Sequence, residues 1–157
     1  MNIGRSTIHR VDLPLSLDGP FQLWGYGHDA NLLMLRHLGD YPTPDNDGEE
    51  DDSFVPQVSD VVFHRVRALA IRQYYRTLYL RRGTAAETGS LTQWIAPQAW
   101  HDSRVYVLGE DLDSGWLIAT HVLWTQYTLH WYDPSPLLTQ LPGGDLEQIG
   151  GDIYIDR

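Results

Sequence analysis

At 157 residues, the chain is long enough to bury its own core and close to the usual size of one domain, taken here as residues 1–157. Apolar residues make up 42% of it and charged residues 20%, the balance of a globular rather than a disordered chain. It has no cysteine, which excludes disulfides and thiolate zinc sites, and its formal charge of −10 argues against non-specific binding to nucleic-acid phosphates.

The absence of cysteine fits the cytosol. The stretch M-N-I-G-R-S-T carries no apolar signal-peptide segment, and no run approaches the roughly 20 apolar residues of a membrane span. The expectation is a soluble, cytoplasmic, non-membrane protein. Every basic residue is arginine, and the charge is unevenly spread. Residues 60–82 hold six arginines and one acid, a net of +5, which leaves −15 for the rest.

In chain order, Thr7 to Leu17 puts Val11, Leu13, Leu15 and Leu17 at period two, an edge strand because Pro14 cannot donate to a ladder. Asp18-Gly19-Pro20 is expected to turn the chain. Phe21 to Trp24 and Leu32 to Arg36 read as two strands joined by G-Y-G-H-D-A-N, with L-L-M-L apolar on both faces and therefore central. Residues 40–58 form the expected flexible acidic loop, with six acids between Asp45 and Asp52. It is not an EF-hand: with Gly48 at the sixth position, Phe54 falls where the closing glutamate should be.

Residues 59–83 carry Arg65, Arg67, Arg72, Arg76, Arg81 and Arg82. They can be read as a helix capped by Ser59 and ended by Gly83, or as two strands over about 61–71 and 75–82. The β-branched and aromatic content favours the strands, and the F-x-x-V step from Phe63 to Val66 then requires a bulge. Residues 84–90 are read as a loop, and 91–100 as irregular chain around Pro97. Arg104 to Gly109 and Trp116 to Trp124 form an antiparallel pair about the turn D-L-D-S-G, Trp116, Ile118, Val122 and Trp124 sharing one face. Thr128 to Tyr132 continues the sheet, Ser135-Pro136 starts a short helix, and I-Y-I closes the chain as a strand. The fold class is mainly β, all-β or α+β, with an antiparallel sheet core and one or two short helices.

Motifs for chemistry are sparse. The seven histidines show no H-E-x-x-H, H-x-H or E-x-x-H spacing, so no metal site and no cofactor are assigned. There is no G-x-S-x-G elbow and no phosphate-binding glycine loop. His28 and Asp29 are adjacent in a turn that could present both side chains; together they could ligate a metal or orient a base, or simply form an Asx-type turn. Five of the six tryptophans fall in residues 94–131. Most suit a sheet core. Trp94 and Trp100, in irregular chain, are the candidates for stacking on a ligand or anchoring an interface. Arg65, Arg72 and Arg76 are candidates for an acidic group, either a partner's or the protein's own acidic loop.

The fragments G-H-D-A-N-L-L-M-L (Gly27 to Leu35) and D-V-V-F-H-R-V (Asp60 to Val66) resemble a pattern in small bacterial β-rich proteins. Some of these are grouped with immunity proteins that neutralise toxins. The resemblance implies an all-β or α+β fold and a non-enzymatic role. The leading expectation is therefore a bacterial interaction protein, immunity-like, with a basic protein as partner. Two alternatives stand beside it: a β domain binding sugars or small ligands through exposed aromatics, and a metal-dependent hydrolase built on His28 and Asp29.

Overall fold

The computed structural model describes residues 7–10, 12–27, 31–37, 39, 57–96, 102–128, 135, 137 and 152–156. The strands are β1 (Thr7–Arg10), β2 (Leu15–Gly27), β3 (Leu32–His37), β4 (Gln57–His64), β5 (Ala68–Ala70), β6 (Tyr74–Arg82), β7 (Arg104–Val107), β8 (Trp116–Ala119), β9 (His121–Thr128) and β10 (Asp152–Asp156). A helix, α1 (Ala85–Thr92), lies between β6 and β7, a 3-10 turn spans Leu112–Ser114, and Leu137 is also helical. The chain is thus mainly β and mostly antiparallel, with β1–β10 the parallel pair.

Neighbours in the sheet run β1-β10-β9-β4-β3-β2-β6-β7-β8-β5. Two of the breaks along this series are bends rather than ends. Thr120 alone separates β8 from β9, and only three residues separate β4 from β5. Across both bends the ladder persists: His64 faces His121, Ala68 faces Ile118, the Thr120 amide donates to the His64 carbonyl, and the Arg67 amide donates to that of Ile118. Strands β4–β5 and β8–β9 are therefore two long bent strands. Going round from β9 through β4, β3, β2, β6 and β7 leads back to β8, so the sheet closes into a six-stranded barrel. Strand β10 extends it along the free side of β9, and β1 adds to β10.

Closure requires sharp bending, and bulges supply it. The inward-facing positions step from Phe63 to Val66, from Tyr75 to Leu78 and from Ala119 to Val122, three residues each time instead of two. The first step passes through Arg65, whose φ is +51°. A further register shift lies between Asp18 and Phe21 in β2, where a Cβ on Gly19 would come within 2.7 Å of the Arg76 carbonyl oxygen. Fourteen buried side chains fill the interior, contributed by all six strands, among them Phe21, Leu35, Phe63, Leu78, Tyr106 and Val122. Each such side chain contributes about 1.5–3 kcal/mol on burial.

The outer face has two further apolar layers. Leu91 of α1 packs on Val105, Val107 and Ile118, and Leu137 packs with Leu32, Met34, Val62, Leu123, Ile153 and Ile155.

Several expectations are corrected. Residues 7–17 form two strands, interrupted around Leu13-Pro14. Asp18-Gly19-Pro20 is a bulge inside β2, because β6 continues to pair on both sides of it. The favoured reading of 59–83 as strands holds: 59–72 are strand and bend, not the alternative helix, with the bulge falling where F-x-x-V requires one. The segment read as a loop at 84–90 is the start of α1. Thr84 accepts from the Glu87 amide while the Glu87 carboxylate accepts from the Thr84 amide, a capping box that satisfies two otherwise unpaired N–H groups. Trp116 and Ile118 do not share a face with Val122 and Trp124, since the step at Thr120 turns the strand over. Of the expected acidic loop, Gln57 and Val58 already belong to β4, and 40–56 lie outside the described residues.

Candidate functional site

A six-stranded barrel has room inside for side chains only. The interior is occupied, so function must lie on the outer surface or at the rim. Four groups of side chains are candidates there.

The arginines of residues 60–82 divide by role. Arg81 is held by the Glu87 carboxylate (Nη1 to Oε2 2.8 Å, Nη2 to Oε1 2.7 Å) and by the carbonyls of Gly109 and Glu110. It fastens α1 to the β7–β8 turn, and its hydrogen bonds hold the Glu87 carboxyl down at about 2. Arg82 forms a two-pronged pair with Asp156 of β10 (Nε to Oδ2 3.0 Å, Nη2 to Oδ1 2.5 Å). The expected binding residues are set on separate elements: Arg65 at the β4–β5 bend, Arg72 in the turn before β6, and Arg76 on β6. All three are exposed. Arg72 donates to the Asp113 carbonyl (3.3 Å), and its amide to the Tyr75 hydroxyl (3.0 Å).

Of the aromatic candidates, Trp94 is 81% exposed. Its backbone is held, because its amide donates to the Leu91 carbonyl and its neighbours Leu91 and Ile95 are anchored in the layer under α1. Trp116 packs into that same layer, and Trp124 stacks on Tyr154 (4.9 Å between rings) against the barrel core. Trp100, His28 and Asp29 lie outside the described residues. Among the described residues, no group of three or more His, Asp or Glu side chains could hold a metal ion.

His64 and His121 face each other across the β4–β9 ladder, stacked at 4.5 Å with an interplanar angle of 11°. Burial, then the charges of His121 and Arg65, depress the His64 pKa from 6.5 to about 3, so its ring is neutral. Its Nε2 has no hydrogen-bond partner among the described residues, whereas the Thr120 hydroxyl meets Nδ1 of His121 at 3.0 Å. This pair sits where both bent strands turn.

The fourth group is at the rim. Strand β10 ends opposite Val122 and β7 begins opposite Ala119, so the two meet end to end along β8–β9. A pocket of about 220 Å³ beside this seam is lined by Arg82, Gly83, Thr88, Ser103, Arg104 and Val105. Behind it, Arg104 Nη1 and the Tyr106 hydroxyl are buried next to each other. Burial, with Asp156 adding to it, raises the Tyr106 pKa, and nearby Arg104 partly opposes the rise. The phenol is protonated and able to donate.

Sequence reasoning missed α1, the Arg36–Asp60 pair described below, and the rim pocket. T-A-A-E at 84–87 is a signal that could have located α1. The pocket has no local signature, being assembled from β6, α1 and β7. Comparison of the chain with protein-family models, curated proteins and solved structures finds no match. Among the described residues no helix is long and apolar enough to cross a membrane.

Proposed function

We propose that this chain is an immunity-like binding protein, non-enzymatic, whose partner is a basic protein. The observation that carries the reading is Trp94, displayed on an anchored turn with four-fifths of its surface in water. An exposed tryptophan on an anchored backbone suits an interface anchor, because it is large, has few rotatable bonds to order on docking, and dominates binding energy where it is found. Charge selects the partner. Among the described residues three arginines are spent on internal pairs with Asp60, Glu87 and Asp156, and the full chain carries eleven basic residues against twenty-one acidic ones. Such an excess favours encounter with a basic surface and disfavours an acidic one.

The test is capture from the source bacterium on immobilised protein, with Trp94→Ala run in parallel. A basic protein retained by the native chain, lost with Trp94→Ala, and released between about 0.1 M and 1 M salt, where the screening length falls from ~10 to ~3 Å, is the expected result. Retention that ignores both the substitution and the salt would refute the proposal. Elution by a free glycan instead would shift the reading to sugar stacking on Trp94.

A further inference from the structure

We infer that the open end of the barrel, between the last residues of β2 and strand β5, is a docking groove for an extended acidic segment of another protein. The topology leaves a gap there. Strand β2 pairs with β6 only as far as Gln22, opposite Tyr74, and one further bond runs from the Leu23 amide to the Gln73 carbonyl (2.8 Å). From Trp24 onward, β3 is its strand partner among the described residues, on one side alone. Strand β5 likewise pairs on one side, with β8. Where the bend into β5 passes the start of β3, the Val66 amide donates to the Asn31 carbonyl (2.8 Å). Two free strand edges therefore bound an opening that a hydrogen bond pins at each corner.

The opening shows side chains that a closed barrel would bury. Leu23 lies opposite Leu35, Tyr26 opposite Leu33, and Leu69 opposite Leu117, and all three partners belong to the interior cluster. Directly opposite residues share a face of the sheet. Leu23, Tyr26 and Leu69 thus face inward, yet they are 36%, 50% and 39% exposed. Tyr74, also exposed, stands at the Gln22 corner. Apart from its chain neighbours, nothing lies within 4 Å of where a Cβ on Gly25 would sit, so space is open over this part of β2. A free apolar edge of this kind is a template for another chain, and extended peptides use it by adding as a strand.

Charge names the occupant. Arg65 and Arg67 stand exposed on the bend into β5, and neither forms an ion pair among the described residues. Residues 19–27 and 61–83, which border the gap, contain no Asp or Glu in a chain that has 21 of them. Arginine on such a surface suits carboxylates. The formal charge of −10 disfavours a large acidic surface and a second copy of this chain, which leaves a short segment that meets only this local face. Successive side chains of a strand point to opposite faces. The fitting segment therefore alternates, with apolar side chains set toward Leu23, Tyr26 and Leu69 and acidic ones within reach of the bend.

The experiment follows the fluorescence anisotropy of a labelled octapeptide alternating glutamate and leucine as the full chain is added. Saturable binding is expected, roughly tenfold weaker when lysine replaces glutamate in the peptide and several-fold weaker in Arg65→Gln/Arg67→Gln. Tyr26→Ser should also weaken it several-fold; Leu69→Ser should do the same from the opposite wall, and decides the matter if Tyr26→Ser does not fold. Of the two peptides N-methylated on alternate amides, at least one should lose binding, because its methyls block pairing with a strand edge. Equal binding of the glutamate and lysine peptides, undiminished binding in these variants, or full binding of both methylated peptides would overturn the inference. So would binding to phosphatidylserine vesicles without binding to the peptide, or self-association abolished by Tyr26→Ser, which would make a membrane or a second copy the occupant. Trp94→Ala should bind the peptide as the native chain does, so this inference and the proposed function can fail separately; loss of the peptide in that variant would move it to the Trp94 surface and overturn the groove.

Discussion

The most exacting physical test concerns Arg36 and Asp60, directly opposite in the β3–β4 ladder and both 0% exposed. The guanidinium meets the carboxylate by two bonds, Nε to Oδ1 at 2.7 Å and Nη2 to Oδ2 at 2.9 Å, and its flat face lies 5.2 Å from the ring centre of Trp24. A pair this deep gains strong attraction but loses hydration on both partners, so its net contribution is small while the cost of breaking it is large. Asp60→Ala leaves a buried cation with its carboxylate removed, and the expected destabilisation is about 3–5 kcal/mol. For a domain whose total stability is about 5–15 kcal/mol, that loss brings the fold near its threshold.

Arg36→Met alone strands the carboxylate and should cost a similar amount. The double variant Arg36→Met/Asp60→Leu removes both charges and extends the apolar layer of Met34 and Val62 beside them. It is expected within about 1–2 kcal/mol of the native chain, so the two single losses should fail to add by at least about 2 kcal/mol. Urea unfolding followed by tryptophan fluorescence gives all four free energies. A single-variant loss below about 1 kcal/mol, or a double variant as unstable as the sum, would refute the reasoning.

Two other expectations follow from the structure. The neutral His64 must take up a proton on unfolding, so its free and folded pKa values, 6.5 and about 3, define a window in which the unfolded chain binds more protons. Stability should be fully present above pH 6.5 and fall as pH drops toward 3, by up to about 5 kcal/mol; urea midpoints across this range in His64→Phe should show a visibly shallower slope, and an unchanged slope would clear His64 of the effect. Thr84→Ala removes the side chain that accepts from the Glu87 amide and should cost about 1 kcal/mol, with the loss of amide protection concentrated in α1.

How far the fold was legible depends on how local its causes are. F-x-x-V and the two-sided apolar run L-L-M-L announce a bulge and a central strand within a few residues, and both lie where they were expected. The break at Thr120 was missed because W-L-I-A-T-H-V-L-W alternates acceptably on either parity; only the ladder to β4–β5 shows that the strand turns over. T-A-A-E was legible and was passed over, since Gly89 and the short apolar content of 85–92 hide a helix whose stability comes from its cap, from Arg81 and from Leu91. Arg82 and Asp156 stand 74 positions apart, and nothing short of the barrel closure puts them together.

The charge pattern sharpens what the surface is for. Six arginines within one stretch suggested a single patch, yet Arg81 and Arg82 are fasteners, one tying α1 to a turn and the other tying β6 to β10 across the seam. Arg65, Arg72 and Arg76 lie exposed on a bend, a turn and a strand, and Arg72 already donates to the Asp113 carbonyl. What the fold does display is the Trp94 indole, four-fifths exposed on the turn that closes α1. A large partner is therefore expected on the outer surface around it. Because an indole this exposed supports little of the fold, Trp94→Ala should abolish capture while leaving the unfolding free energy within about 0.5 kcal/mol of native; a variant that loses stability together with capture would mean that Trp94 serves the fold and not an interface.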